Sequence, residues 1–510
     1  MSTPKLNDTS AAADSPVDPD AANVVPASHR SQFTQFLKTL TSFTGDLSQL
    51  TCPAFLLSGV SLLEYSAHWA DHPDLFYAIA AHTDPVDRMV AVARWFISTL
   101  YGSFHSRCKT GTEKKPFNPV LGEQFYCWWP ADDKEGVPET RMVCEQVSHH
   151  PPVGAFAIEN DKKNIFLNGH CGQKTKFKTT YIKVEQTGRA VVTVFPPDGS
   201  VDEYFVTLPE MALRGLLSGQ LFVELLGKSS ITSASGYQTV FEYVPKGWFT
   251  GEYHSIKGTI SKLDLPGGPL LAEAAATLIG TDASGEDAGG SPTSTTSASS
   301  ASSTTSSKKA SKKARKMAEA TMQSAISEGE VLFEVSGKWT TTCVATRLED
   351  GAEEILFDAD EHEMQVPQVK PLEHQTDLES RKLWHKVATA LNAQDYQQAT
   401  AIKTTIEDEQ RALRKARVER GESWAPKNFV FVSDGASAAS KSSETGGGSD
   451  AGSMHSLASS KMDLAGPGLQ ARAALRGLSV IAVGGSGGTE ALVDEGLWTF
   501  VPERPASSMS

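Results

Sequence analysis

The sequence is poor in basic charge and has no long apolar run. Its formal net charge is -14, whereas a nucleic-acid-binding surface needs clustered basic residues to displace counterions. We therefore expect no nucleic-acid partner, and any phosphate site has to be local. No uninterrupted apolar segment approaches the roughly 18 residues of a membrane-spanning helix, so we expect only transient contact with a membrane surface.

Cysteine is scarce as well. The chain has 6 cysteines in 510 residues, and none shows the paired Cys-x-x-Cys spacing of a metal or redox site. With no secretory signal recognised, we predict reduced thiols in a cytosolic protein. We expect neither a metal nor another cofactor. The cysteines are Cys52, Cys108, Cys127, Cys144, Cys171 and Cys343.

Composition divides the chain into one domain and its low-complexity segments. Residues 1–29 are small and polar, which predicts a disordered leader. Residues 30–435 are predicted to form a single domain, interrupted at about 265–317 by a serine- and glycine-rich insertion with a basic end. Residues 436–510 form a low-complexity tail, although its apolar stretch from Leu492 to Pro502 could dock back onto the domain.

An amphipathic helix is predicted after the leader. Its apolar residues recur at spacings of three and four, and Lys38 is the one charged residue on the polar face. Such a weakly charged face suits a lid or a lipid-packing sensor within residues 31–58, and an ordinary core helix fits the pattern equally well. The apolar residues are Phe33, Phe36, Leu37, Leu40 and Phe43.

The apolar pattern then changes twice along the chain. Helical periodicity gives way after Tyr101 to short alternating segments, which predict a large antiparallel sheet, and returns between Pro367 and Arg420 with Gly421 as a stop. The predicted helices are 61–82 and 84–101, and the clearest strands are 190–195, 237–244 and 330–335.

The octapeptide Glu145–Pro152 reads Glu-Gln-Val-Ser-His-His-Pro-Pro. Proline disfavours helical backbone in the residue before it, so His150 is predicted to be extended and the two imidazoles of His149 and His150 to be displayed rigidly. Together the rings suit an anion of variable charge. Adjacent side chains of an extended segment point to opposite faces, which disfavours joint chelation of a metal.

A second segment, Lys114–Glu123, reads Lys-Lys-Pro-Phe-Asn-Pro-Val-Leu-Gly-Glu. With the octapeptide, it resembles the signature of the oxysterol-binding protein family, and the resemblance extends from about Ser31 to Phe429. It implies a mainly β (α+β) fold, namely a large, near-complete antiparallel β-barrel with a central lipid tunnel, an N-terminal lid helix and flanking helices. The relatives that it resembles most are short fungal sterol carriers.

Lys403, Glu407 and Arg411 lie at successive i+4 positions of the last predicted helix. Such a stripe is most often a solvated helix face. The resemblance implies instead that the three residues complete a phosphatidylinositol 4-phosphate headgroup site with the histidine pair. The implied site consists of Lys115, Asn118, His149, His150, Lys403, Glu407 and Arg411.

The resemblance also implies residues of the lid and the tunnel wall. By pattern alone, each of these apolar residues would be ordinary core. At two positions where close relatives have Gln and Asn near the sterol hydroxyl, this chain has Ser103 and Cys171. The implied residues are Phe33 and Leu47 in the lid, and Trp69, Phe104 and Gln186 along the wall.

Two other motifs carry competing interpretations. Gly484–Gly488 fits Gly-x-Ser-x-Gly, but a hydrolase of that type needs a later histidine, and the last one here is His455. Ile355–Glu361 resembles the acidic two-phenylalanine motif of other family members, yet it falls where the lipid-binding domain has a strand. A buried strand cannot serve as a peptide ligand, so we predict a core role.

The resemblance implies a lipid transfer protein that binds a sterol and phosphatidylinositol 4-phosphate alternately in one tunnel and exchanges them between membranes. A sensor that binds the headgroup without transport, or a carrier with a non-sterol second cargo, are the alternatives. No phosphocysteine or kinase loop is present, so we predict no enzyme. We expect a monomer in the cytoplasm, peripherally associated with endoplasmic reticulum, Golgi or other internal membranes.

Overall fold

The computed structural model describes residues 27–43, 47, 50–109, 113–132, 136–247, 251–263, 329–422, 424–433 and 496–501. The basic insertion, Gly484–Gly488 and most of the leader and tail therefore lie outside the described residues. Within them, no helix is both long and apolar enough to cross a membrane.

Five α-helices lie in the described ranges. Helix α1 begins after the predicted leader, whose last residues, Ala27–His29, already form a 3-10 turn. The predicted 61–82 helix is instead a 3-10 segment, Leu62–Ala70, followed by a short α-helix, because Pro73 can occupy only the first turn of a new helix. The helices are α1 Arg30–Ser42, α2 Pro73–Ala78, α3 Pro85–Phe104, α4 Ser380–Asn392 and α5 Tyr396–Glu419.

Seventeen strands are described. The predicted strand 330–335 lies inside the longer β13, 190–195 overruns the end of β7 by one residue, and 237–244 matches β11 at both ends. The strands are β1 Leu57–Ser61, β2 Lys115–Phe117, β3 Gln124–Trp129, β4 Thr140–His149, β5 Pro152–Asn160, β6 Ile165–Lys178, β7 Tyr181–Val194, β8 Asp202–Thr207, β9 Glu210–Arg214, β10 Phe222–Ser233, β11 Tyr237–Val244, β12 Ser255–Lys262, β13 Glu330–Lys338, β14 Thr342–Arg347, β15 Glu353–Asp358, β16 Phe429–Ser433 and β17 Gly496–Phe500.

Strands β3 to β15 form one antiparallel sheet of 13 strands in nearly sequential order. Strands β3 and β15 are its two ends, and β9 pairs with both β7 and β10 beside the main path. Two small sheets lie outside it, β1 with β2 in parallel and β16 with β17 antiparallel. The fold is therefore mainly β, as predicted, with one large antiparallel sheet.

Helix α3 packs against one face of this sheet. Asp84 caps its start by accepting bonds from the backbone of Val86 and Asp87, and nearly every residue from Arg88 to Gly102 is buried. Arg88 donates to Asp202 at the start of β8 at 2.9 Å, and Arg94 donates to Glu354 of β15 at the same distance. The helix thus ties β8, in the middle of the sheet, to its last strand.

Two further predictions concern Ile355–Glu361 and the tail. In β15, Leu356 and Phe357 are each only 1% exposed, which confirms the core role. The docking of the apolar stretch near the C-terminus is confirmed too, because β17 pairs with β16 and its Phe500 backbone donates to Asn168 of β6.

Candidate functional site

The histidine pair lies at the turn of the β4–β5 hairpin. Strand β4 ends at His149, which pairs with Pro152, while His150 and Pro151 form the turn. The chain therefore reverses at His150, and the extended backbone expected for that residue stays a prediction. The two rings do not point to opposite faces either: their centroids are 4.7 Å apart at an interplanar angle of 67°.

The surroundings of the two rings favour their neutral form when no anion is bound. Burial lowers the pKa of His149, and the charges of His150 and Arg414 lower it further, while a backbone hydrogen bond with Pro119 opposes the effect. Burial and Arg414 also lower the pKa of His150. Within the described ranges, His149 Nδ1 is buried without a hydrogen-bond partner. A bound anion would supply one.

The Lys114–Glu123 segment contributes a second set of polar groups. Strand β2 positions Lys115, whose ammonium donates to Asn118 Oδ1 at 2.6 Å. Burial and the charge of Lys403 lower the pKa of Lys115, whereas the charge of Glu407 raises it. Lys403 forms an ion pair with Glu407. Both strand and helix thus bring their predicted residues into one electrostatic cluster.

The Arg411 side chain turns toward its own helix. It forms an ion pair with Asp408 at 2.8 Å, and both side chains are 64% exposed. The positive charge acting on both histidines is that of Arg414, one turn further along α5. The role predicted for Arg411 stays a prediction, because an exposed guanidinium can rotate toward an anion. Arg414 was missed, although its i+7 spacing from Glu407 placed it on the same helix face.

Glu123, the last residue of the Lys114–Glu123 segment, joins that segment to its neighbours in the fold. Its buried carboxylate accepts four hydrogen bonds, at 2.5–3.1 Å, from different elements. Burial raises the pKa of Glu123 and the four donors lower it. The motif contained this residue, yet no local pattern identified its partners. The donors are Ser61 Oγ of β1, the Val120 backbone, and Ser380 Oγ and Trp384 Nε1 of α4.

The predicted lid helix covers an apolar cluster beside the polar one. Phe33 of α1 is 7% exposed and packs with Phe55, Leu56, Leu216 and Leu221. Phe36 and Leu37 of the same helix lie against this cluster. The prediction of an amphipathic helix over residues 33–43 is therefore confirmed apart from its last residue, since Phe43 is already extended. Leu47 is buried as well.

Cys52 joins the apolar and the polar clusters. Its side chain packs on the cluster beneath α1, and the charges of Lys115 and Lys403 act on its thiol. Burial raises the pKa of this thiol to about 11, and the two cations moderate the rise. The charges of the polar cluster therefore reach a residue that packs on the apolar cluster beneath α1.

The three predicted wall residues occupy different surroundings. Trp69 stacks on Phe156 at 5.4 Å, and Phe104 is partly buried against the same central core. Gln186 donates to the Pro209 carbonyl at 2.7 Å and lies 3.8 Å from the Cys171 thiol. Trp69 and Phe104 pack against the central core, Gln186 lies on β7, and their roles in ligand binding stay predictions.

Comparison with known proteins identifies the family. The oxysterol-binding protein family model matches residues 35–268. Protein KES1 of Mycosarcoma maydis is 35% identical over 417 residues, covering 81% of this chain and 91% of that protein.

Two solved structures share the fold. An Osh1 ORD domain in complex with cholesterol matches with a TM-score of 0.55 and 18% identity, over 78% of this chain and 82% of that one. The Osh3 ORD from Saccharomyces cerevisiae in complex with PI(4)P matches with a TM-score of 0.50 and 17% identity, over 80% of this chain and 88% of that one. At such low identity these likenesses concern the fold alone.

The chain is thus a mainly β protein with one large antiparallel sheet, an amphipathic cover helix and a cluster of charged and histidine side chains. It belongs to the oxysterol-binding protein family, whose members bind and transfer lipids.

Binding of a phosphate monoester to this cluster should take up protons. Both imidazoles have pKa values below the ordinary value, so they are neutral at neutral pH, and a phosphate dianion beside them raises those values. The affinity for the phosphate monoester should therefore increase as pH falls from about 7.5 to about 6.5. In this range the phosphate stays largely a dianion, because its second pKa is about 6. Calorimetry in buffers of different ionisation enthalpy measures the uptake directly.

The control for this pH effect is His149→Asn, whose amide can donate a hydrogen bond but does not titrate. It should remove most of the proton uptake while leaving measurable binding. An uptake equal to that of the wild type would show that His149 is not the group that gains the proton.

Proposed function

We propose that the protein is a lipid carrier that binds a sterol and phosphatidylinositol 4-phosphate alternately in one cavity and exchanges them between membranes. The observation that carries this proposal is the junction at Cys52, where cations that suit a phosphate headgroup adjoin an apolar cluster beneath a cover helix. A phosphoinositide needs both surroundings at once, a polar one for the headgroup and an apolar one for the acyl chains. A sterol needs only the apolar part.

The headgroup is proposed to occupy the polar cluster. His149, His150 and an arginine of α5 would hold the 4-phosphate, with Arg411 and Arg414 both within its reach along the helix. Lys115 and Asn118 would lie nearer the phosphodiester, and Glu407 would accept hydrogen bonds from inositol hydroxyls. Related Osh domains have been solved with cholesterol and with PI(4)P, which supports the two kinds of cargo.

The apolar cargo is proposed to lie within the curvature of the large sheet. The sheet would curl into a near-complete barrel around a tunnel, with Phe33 and Leu47 in the lid region and Trp69, Phe104 and Gln186 along the wall. Trp69 stacks on Phe156 of β5, and Gln186 lies on β7, two strands further along the sheet. Residues 30–435, completed by strand β17, would form the lipid-binding domain.

We further propose that the protein acts as a monomer without enzymatic activity and contacts internal membranes transiently from the cytoplasm. The amphipathic helix α1 supports membrane contact, because its apolar face becomes available when it opens. Its exposed face carries hydroxyl and amide groups rather than many charges, so attraction to anionic lipid would be weak.

Deleting residues 1–46 should abolish the retention of bound sterol. The deletion removes α1, and with it Phe33, Phe36 and Leu37, which cover the apolar cluster. Co-elution of labelled sterol with the protein in gel filtration measures retention. A matched control lacks only residues 1–26 and leaves α1 whole. Full retention by the larger deletion would show that α1 is not a lid.

Transfer between two populations of liposomes tests the proposal as a whole. Sterol is placed in the donor vesicles and phosphatidylinositol 4-phosphate in the acceptor vesicles. If the protein exchanges the two lipids, the phosphoinositide should accelerate sterol transfer from donor to acceptor. Headgroup binding without any transfer would replace the carrier with a sensor. Transfer of the phosphoinositide without sterol would keep the site and require a different second cargo.

A further inference from the structure

The β4–β5 hairpin that carries the histidine pair has an irregular ladder. Gln146 pairs with Gly154 and Ser148 pairs with Val153, so β4 has one more residue than β5 at Val147. This is a β-bulge, which re-aims the side chains that follow it. Without the bulge, Glu145, Val147 and His149 would share one face of the strand. The extra residue allows His149 to leave that face.

The face that His149 leaves is covered by the two C-terminal strands. Val147 is 3% exposed and packs with Phe429, Phe431, Trp498 and Phe500 of β16 and β17. The alternate residues of β5, namely Val153, Ala155 and Ala157, belong to the same cluster. The bulged residue is therefore buried by a part of the chain that lies far away in sequence.

Polar bonds fix the same contact at one end. The carboxylate of Glu145, which is fully buried, accepts hydrogen bonds from the backbone of Lys427 at 2.8 Å and of Asn428 at 2.7 Å. It also accepts one from the Asn428 side chain at 3.1 Å. These two residues immediately precede β16. Across the bulge itself, the Gln146 side chain donates to the Ser148 carbonyl at 2.9 Å.

We propose that strands β16 and β17, anchored through Glu145, hold the bulge at Val147 and so position His149 and His150 for an anion. The inference rests on the proposed headgroup-binding function of the histidine pair. Glu145 and Phe500 are positioning residues in this scheme, because neither belongs to the predicted ligand-binding set. The C-terminal strands then serve the headgroup site and not the apolar cavity.

Two substitutions test this inference, Glu145→Gln and Phe500→Ala. Each should weaken the binding of dioctanoyl phosphatidylinositol 4-phosphate about tenfold, which corresponds to about 1.4 kcal/mol. Each should also lower its preference over dioctanoyl phosphatidylinositol, because the phosphate contacts are lost selectively. Sterol binding should stay within twofold of the wild type. Since both changes loosen one contact, the double variant should bind little worse than either single one.

The matched control is Glu224→Gln. Glu224 is another buried carboxylate of the large sheet that accepts a backbone hydrogen bond, from His254 at 2.9 Å, and it lies on β10, outside the hairpin. It should leave the phosphoinositide preference unchanged. Thermal unfolding establishes that each variant is folded, and Glu145→Gln decides the question by itself if Phe500→Ala does not fold.

The outcomes separate this inference from the proposed function. If the wild type binds the phosphoinositide and the folded Glu145→Gln variant binds it equally well, the positioning role is wrong and the function stands. If sterol and phosphoinositide binding fall together, the C-terminal strands only stabilise the domain, which also overturns the inference. If the wild type does not bind the phosphoinositide, the proposed function fails, and the inference with it.

Discussion

Replacing His149 and His150 together with alanine should weaken phosphatidylinositol 4-phosphate binding by at least a hundredfold and leave sterol binding nearly unchanged. Charge-assisted hydrogen bonds contribute about 1.5–3 kcal/mol each, and about 1.4 kcal/mol corresponds to a factor of ten. Two such bonds therefore suffice for the expected loss. The sterol is spared because the rings adjoin the polar cluster and not the apolar one beneath α1.

Extraction of both lipids from liposomes measures this result. The matched control replaces His374 and His385, two exposed histidines outside the cluster. Phosphoinositide extraction at the wild-type level by the His149/His150 variant would remove the headgroup assignment and leave the pair with a structural role in the hairpin turn. A parallel loss of sterol binding would instead indicate damage to the whole domain.

The second large effect is expected for Glu123→Ala, which should lower the free energy of unfolding by about 3–5 kcal/mol. The carboxylate is completely buried and accepts bonds from Ser61, Val120, Ser380 and Trp384. Alanine leaves four buried donors without an acceptor, and each unsatisfied donor costs about 1–3 kcal/mol before the site relaxes. Strand β1, the loop before β3 and helix α4 should loosen together.

Denaturant unfolding measures this loss, and Glu123→Gln is the informative comparison. The amide keeps one acceptor oxygen but places an NH₂ group against the remaining donors, so its cost should be intermediate. Glu373→Ala, at an exposed position, should change stability little. An Ala variant as stable as the wild type would show that the four donors find water or other partners.

Local patterns predicted those elements in which one segment determines its own conformation. Asp84 and Pro85 define the start of α3 because the cap and the fixed φ of proline act within one turn. Alternating apolar residues predicted strand β11. The burial of Leu356 and Phe357 was predicted because a buried strand cannot also serve as a peptide ligand. The 61–82 segment failed as one helix because an interior proline outweighs apolar periodicity.

The candidate site was predicted in part by resemblance and in part by spacing. The i+4 relation of Lys403 and Glu407 correctly implied a shared helix face, and the structure pairs them. Resemblance supplied the link from that helix to Lys115 and the histidines. The rings were expected on opposite faces, but a reversal of the chain at His150 brings them to within 4.7 Å. Turn geometry of this kind depends on the partner strand as well as on the proline.

The sequence by itself determined the mainly β character, the amphipathic helix and the residues able to bind a phosphate, because periodicity and side-chain chemistry are local properties. Tertiary structure alone decided that Arg414 acts on both histidines and that Glu123 joins β1 to α4. It also decided that β17 covers a bulge at Val147. Burial and hydrogen bonding between residues hundreds of positions apart leave no periodic trace in either segment, so only the folded chain reveals them.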